Sequence, residues 1–365
     1  MHSIPLFNLK AQHQAIRKKI DHAIRGVLDS HQFILGMSVD IFEKESARFL
    51  NCRYALGVAS GTDAILLSLA ALGAGPGDEV ITSPHTFFGT VGPILHLGAK
   101  PVFIDIDPRT YNLNPSHIAK KISSKTKVIL PVHMYGQCAE MTVIRKISQE
   151  YHLSVVEDGA QAFGAIHQGK RAGTWGELGA FSFYPSKNLG ACGDGGLIVG
   201  NQKSLMEKIR MLRVQGARRK YIHEICGYNS RLDSIQAAIL GVKLKYIDQW
   251  NQARRKIAEA YDQRLKEIRE VKIPYVTGGN IPIYHLYTIR AQKRDRLIEF
   301  LKKRGIETGI YYPLPQHLQK AVHGYKRGDF PETERAARET LTLPIFPELK
   351  REDQEYVVSA IKEFY

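Results

Sequence analysis

A chain of 365 residues is long enough to bury a large core and to divide into more than one domain. Its hydrophobic fraction of 44% and charged fraction of 24% are ordinary for a soluble globular protein. The formal net charge of +15 suits an anionic partner (nucleic acid, an anionic membrane or a multiply phosphorylated small molecule), but the basic residues are scattered and form no long basic tail.

In chain order, the first dozen residues, with Pro5 and Asn8, read as an irregular arm. Apolar runs at 55–59, 79–83, 101–105, 127–132, 153–157, 180–184 and 197–200 are predicted strands. Helical patterns at 62–72, 86–97 and 139–151 lie between them. Alternating βα units predict a largely parallel sheet between helices. The last two strands are joined by a turn-rich loop, so one antiparallel strand is expected. One long helix is predicted over 231–268, leading to a smaller C-terminal domain. That domain has strands at 284–290 and 308–311 and helices at 294–304, 332–341 and 351–364. The expected division is an arm over 1–14, a large cofactor-binding domain over 15–245 and a small α+β domain over 246–365.

Three features along this frame point to one chemistry. Ser60-Gly61-Thr62-Asp63-Ala64 follows a strand and opens a helix, and such a helix N-terminus offers free N–H groups to a phosphate. Alone it is equally a plain helix cap. Asp158 ends the run Leu153–Glu157, where a carboxylate can pair with a protonated pyridine nitrogen or cap a following helix. Gln161, three residues on, is placed to bond a ring hydroxyl. Lys187 sits in the constrained turn Tyr184-Pro185-Ser186-Lys187-Asn188-Leu189-Gly190 after a strand, not on a solvated helix face. A lysine that attacks an aldehyde must be neutral, which needs burial or a neighbouring positive charge. Ser182 adds a hydroxyl, and Phe87, one turn into the predicted helix, is a ring that can stack on a flat cofactor or pack in the core. Together these suggest pyridoxal phosphate.

Other chemistries find less support. The four cysteines are far apart and form no CxxC pair, so a reduced, cytoplasmic setting is expected, not a disulfide framework or zinc knuckle. His85 and His133 have no carboxylate or cysteine at ligand spacing and are expected to be structural, so no metal is expected. The N-terminus lacks a signal-peptide core, and no stretch approaches the roughly 20 apolar residues of a membrane span. Gly164–Lys170 matches GxxxxGK but is followed by Arg171, and is read as a hairpin. Gly193-Asp194-Gly195-Gly196 reads as a tight turn on the catalytic face.

In this order, the residues resemble the sugar aminotransferases of the DegT/DnrJ/EryC1/StrS family, within fold-type I pyridoxal-phosphate enzymes. The resemblance runs through Gly61–Ala64, Gly75–Val80, Pro131–Gln137, Glu157–Gln161, the Lys187 segment, Gly227–Asp233 and Leu343–Pro347. It implies an aspartate-aminotransferase-like α/β fold and a homodimer with shared active sites. It implies that Lys187 holds the cofactor covalently, Asp158 pairs with the pyridine nitrogen, Gln161 with the ring oxygen, and Gly61, Thr62 and Ser182 with the phosphate, while Phe87 covers the ring. Asn229 would reach the phosphate from the partner subunit. Lys220 and its basic neighbours would approach a nucleotide-sugar diphosphate across the same interface. Tyr184, Tyr311 and Tyr312 would line the sugar site.

The implied reaction is ping-pong transamination with glutamate as donor. The Lys187 segment and Gly193–Gly196 resemble enzymes acting on 3-keto sugars, which predicts a dTDP-3-keto-6-deoxyhexose substrate. A 4-keto or UDP-linked sugar is the alternative. Two positions depart from the common pattern: Tyr311 stands where histidine is usual, and Gly159 where alanine is common, the latter expected to change little. A regulatory nucleic-acid-binding protein on the same fold is the rival reading. Lys187, Asp158 and Ser182 argue against it, so neither a nucleic-acid nor a membrane partner is expected.

Overall fold

The computed structural model describes residues 3–365. A seven-stranded sheet forms the centre, from β1 (Tyr54–Val58), β2 (Glu79–Thr82), β3 (Lys100–Phe103), β4 (Thr126–Ile129) and β5 (Ser154–Asp158), then β8 (Leu178–Ser182) and β9 (Gly196–Gly200). Between them β6 (Ile166–His167) and β7 (Lys170–Arg171) make the hairpin predicted at the GxxxxGK segment. The order across the sheet is β1-β9-β8-β5-β4-β2-β3. Only β9 is reversed: it pairs antiparallel with both β1 and β8, while the remaining ladders are parallel. All other strands therefore end at one common edge.

Period-two alternation decides which residues meet which helices. Leu56, Val58, Val156 and Ile198 pack with Ile65, Leu67 and Leu69 of α3 (Gly61–Ala71), whereas Ala55, Leu197 and Val199 face the other way. That second face is covered by α1 (Leu9–Ser30), α2 (Met37–Leu50) and α7 (Ser234–Leu244), and farther along by α5 (Met141–Glu150). Burial on both faces is what near-continuous apolar strands require.

A second core lies under a three-stranded antiparallel sheet of β12 (Val271–Lys272), β14 (Tyr287–Ala291) and β15 (Thr340–Leu343). It is packed by α9 (Arg294–Lys303) and α11 (Arg351–Phe364). The helix α8 (Ile247–Leu265) joins the two cores, with Ile247 and Trp250 in the first and Tyr261 and Leu265 in the second.

Several expectations are corrected. Helix α1 begins at Leu9, where the Asn8 side chain accepts the Ala11 N–H at 3.1 Å, so the irregular arm is shorter than predicted. The arm is held by Ile4, which bonds Gly305 O and Glu307 N. The predicted 231–268 helix is two helices. The turn closes at Tyr246, whose N–H bonds Lys243 O, and its ring stacks on Trp250. The helix predicted over 332–341 ends at Glu339. Thr340-Leu341-Thr342-Leu343 alternates with period two and adds β15 to the small sheet. Residues 308–311 make only the single bridge Gly309–Thr342, because the chain there leaves the sheet for the cleft.

Candidate active site

A cleft of about 500 Å³ opens at the carboxyl ends of the strands. It brings together Gly61, Thr62, Phe87, Asp158, Gln161, Ser182, Tyr184, Lys187, Tyr311 and Tyr312, which lie far apart in sequence. Asn229 and Lys220 are not on this wall: both are exposed, Lys220 at the end of a two-stranded ribbon (β10, Ala217–Arg219; β11, Ile222–His223). Within one subunit they do not reach the cleft. Asp194, from the predicted tight turn, does.

The phosphate end is built by backbone packing. Ser60 caps α3 through its hydroxyl, which accepts the Asp63 N–H at 3.1 Å, leaving earlier N–H groups free. The cap and the anion site thus coexist. A Cβ on Gly61 would stand 2.5 Å from Ser182 Cβ, so only glycine lets the turn lie against β8. The N-terminus of a helix and two hydroxyls, Thr62 and Ser182, face the same end of the cleft.

At the other end Asp158 is held from two sides. Its Oδ2 accepts from Thr90 Oγ1 at 2.7 Å and its Oδ1 from Ala160 N at 3.0 Å. No helix follows it, so it is not a helix cap. Gln161 accepts the Tyr135 N–H at 2.7 Å and donates one amide hydrogen to Tyr312 Oη at 3.2 Å. Its other amide hydrogen remains available to a ring oxygen. Phe87 is the cap residue of α4 (Phe88–His96), one turn earlier than predicted. It is 58% exposed, 5.8 Å from the Tyr312 ring, and forms an open aromatic wall.

Lys187 opens on the cleft, yet the surrounding protein lowers its pKa to about 8, against the opposing pull of Asp158. The amine is thus poised between charged and neutral near physiological pH. Its turn is pinned from behind by Lys243, which donates to Gly190 O at 2.6 Å.

Sequence reasoning missed Thr90, His285, Phe7 and Asp63. Thr90 meets the Thr86 hydroxyl at 2.6 Å, a pairing that no motif announces. Asp63 accepts from Ser230 at 2.7 Å and so ties α3 to the segment next to Asn229. Phe7 and His285 carry no local signal and reach the cleft through tertiary packing alone. His133 is structural, as expected: it bonds Glu157 at 2.8 Å and accepts from Ala139 N. His85 donates to Tyr135 Oη at 2.8 Å and is kept neutral, its pKa lowered to about 3 by burial and then by Arg290. Gly159 matters more than expected: a Cβ there would lie 2.6 Å from the Phe181 ring.

An amine, a strand-end carboxylate and a helix N-terminus on one cleft suit a phosphorylated pyridine aldehyde, and the residues present fit pyridoxal 5′-phosphate. The DegT/DnrJ/EryC1/StrS aminotransferase family model matches residues 14–362, and the chain belongs to that family. It is 48% identical, over 100% of this chain and 99% of the relative, to the "Pleiotropic regulatory protein" of Geobacillus stearothermophilus. It is 42% identical, over 99% of each, to dTDP-3-amino-3,6-dideoxy-alpha-D-galactopyranose transaminase of Aneurinibacillus thermoaerophilus. The fold matches that of S. venezuelae DesV in complex with a ketimine intermediate at TM-score 0.98 and 40% identity, covering 100% of this chain and 99% of that one. It matches NtdA from Bacillus subtilis with bound cofactor PMP at TM-score 0.92 and 31% identity, covering 100% and 85%.

Proposed function

We propose that this aminotransferase uses pyridoxal 5′-phosphate to replace the ketone of a nucleotide-linked sugar, a dTDP-3-keto-6-deoxyhexose, with an amine taken from glutamate. The observation that carries the reading is the convergence of Lys187, Asp158 and the Gly61 turn on one cleft. The relative named for a dTDP-3-amino-3,6-dideoxy sugar supports the position and the nucleotide. When bound, the cofactor supplies a carbon for the amine and a ring that accepts the electron pair released from a broken C–H bond.

The chain's own residues do the rest. Asp158, fixed by Thr90 and Ala160, holds a positive charge on the ring nitrogen. The free N–H groups at Gly61 and the hydroxyls of Thr62 and Ser182 hold the phosphate, and Phe87 covers the ring face. Lys187 Nζ would take the proton from the donor carbon and return it to the cofactor carbon that carries the nitrogen. In the second half it moves a proton in the opposite sense, so it ends each cycle as it began. Tyr184, Tyr311 and Tyr312 form the wall against which the sugar lies.

The active unit is a homodimer in this reading. Asn229 and Lys220, exposed on one subunit, complete the partner's site, where Lys220 meets the diphosphate. The regulatory name of one relative supports a rival reading without catalysis. The complete Lys187, Asp158 and Gln161 set favours the enzyme.

The deciding experiment adds glutamate to purified protein loaded with pyridoxal phosphate. We expect a visible absorption band that bleaches and returns when a dTDP-3-keto sugar is added. Lys187→Ala should lack both changes while remaining folded. A wild-type protein with no band, together with salt-sensitive DNA binding, overturns the assignment. Return of the band only with a 4-keto or UDP-linked sugar overturns the substrate.

A further inference from the structure

His285 lies on the cleft wall just before β14, and no motif in the sequence singles it out. Its backbone is clamped. Buried Arg254 donates to Tyr284 O at 3.2 Å, His285 O at 3.4 Å and Ile345 O at 3.0 Å. On the other side Gly136 lies so close that a Cβ there would stand 2.7 Å from His285 N.

The ring is oriented by the residue next to the lysine. Asn188 spends both amide hydrogens, one on Asn251 Oδ1 at 2.8 Å and one on Ile283 O at 3.1 Å. Its orientation is thereby fixed, and its Oδ1 can only accept. His285 Nδ1 lies 3.3 Å from that oxygen, so Nδ1 carries the hydrogen and Nε2 keeps a bare lone pair. Burial, then the charges of Lys187 and Arg254, hold the ring neutral. No protein hydrogen bond satisfies Nε2 among the described residues, and His285 lines the same cleft as Lys187, whose neighbour Asn188 it meets.

We propose that His285, fixed by Asn188, is a positioning residue for Lys187: its bare Nε2 accepts a hydrogen from the free lysine amine and aims the nitrogen lone pair at the substrate carbon. The inference rests on the aminotransferase reading but deepens it. The histidine neither gains nor loses a proton, and the transferred proton stays on Lys187 Nζ. Asn188 thus has two duties, as neighbour of the lysine and as the group that sets the imidazole tautomer.

The test has two parts. In cofactor-free protein, ¹⁵N spectra of the His285 ring should show a protonated Nδ1 and an unprotonated Nε2. Lys187→Met should shift the Nε2 signal and leave Nδ1 in place. An Nε2-protonated ring, or an Nε2 signal indifferent to Lys187→Met, overturns the proposal. In loaded protein, the half-reaction with glutamate should slow on the order of 3- to 10-fold in His285→Phe, the worth of one neutral hydrogen bond. The KM for glutamate and the cofactor content should not change. His285→Gln, which keeps an acceptor, should recover part of the rate. A loss confined to KM or cofactor content, or no recovery in a folded His285→Gln, also overturns it. If wild-type protein performs no half-reaction, the proposed function fails, and the spectra of cofactor-free protein still decide the role of His285.

Discussion

At the scale of single residues, the site works by fixing charge. Lys187 is the clearest case, because reaction with an aldehyde requires its neutral form. With a pKa of about 8, the neutral fraction rises as pH rises through that value. Reloading of cofactor-free protein with pyridoxal phosphate, followed by absorbance, should therefore accelerate with a midpoint near pH 8. A midpoint in the ordinary lysine range would show that burial does not act on this amine. Thr90→Val removes one of the two hydrogen bonds on Asp158. The half-reaction with glutamate should slow by roughly 5- to 20-fold, with stability lower by about 1 kcal/mol. Stopped-flow rates and urea melts measure the two separately. Asp158 and the Gly61 turn were legible in the sequence because they occupy a strand end and a helix start, and Lys187 and Gln161 because they follow a strand end within a few residues. Thr90 and His285 were less so, since a threonine inside a helix and a histidine before a strand look the same whether or not they face a cleft.

At the scale of elements, local pattern located most of the central sheet and failed where tertiary contacts decide. The seven predicted strands all form, with ends displaced by no more than three residues. The break between α7 and α8 was hidden because both halves share one continuous helical pattern. The break is local: Leu244 before it and Ile247 after it pack in one core, and the turn is closed by the Tyr246 N–H on Lys243 O and by the Tyr246 ring on Trp250. β15 was hidden by the helix before it, although its alternation of threonine and leucine is a strand signature. The link between α2 and β1 carries its own prediction. Glu43 Oε1 accepts from Gly57 N at 2.8 Å and pairs with Arg213 at 2.5 Å, all three groups lying inside the protein. Glu43→Ala strands the Arg213 charge without its partner, which should cost roughly 3–5 kcal/mol. Denaturant unfolding would reveal it, and a loss under 1 kcal/mol would mean that water reaches the pair.

At the scale of the whole molecule, the +15 charge finds little outlet in the cleft of one subunit. Its lining carries Lys187 as a cation beside Asp158 and Asp194. The basic residues expected to meet a diphosphate, Lys220 among them, stand on the exposed β10–β11 ribbon. A second copy of the chain resolves the mismatch if it lends them across an interface. Mixed dimers test this directly. Co-assembled Lys187→Ala and Asn229→Ala subunits place both lesions in one site and leave the other whole. Isolated mixed dimers should show about half the wild-type rate, and a randomly assembled equal mixture about a quarter, if each site draws on both subunits of a symmetric pair. No recovery above the parent variants would confine each site to one subunit.

The contact between the Gly61 turn and β8 has a consequence for how this protein can change. There the main chain meets other main chain and the first carbons of side chains: a Cβ on Gly196 would fall 2.2 Å from Ser60 O. Neither Gly61 nor Gly196 can take a side chain without moving the sheet. The facing wall is made of aromatic side chains that radiate from loops, Phe87, Tyr184, Tyr311 and Tyr312, and can be exchanged one at a time. The backbone packing at one end of the cleft is therefore frozen, while the aromatic wall is free to drift. A combinatorial library restricted to the three tyrosines should yield variants with altered sugar preference that still bind the cofactor, giving an engineer a modular starting point for new amino sugars.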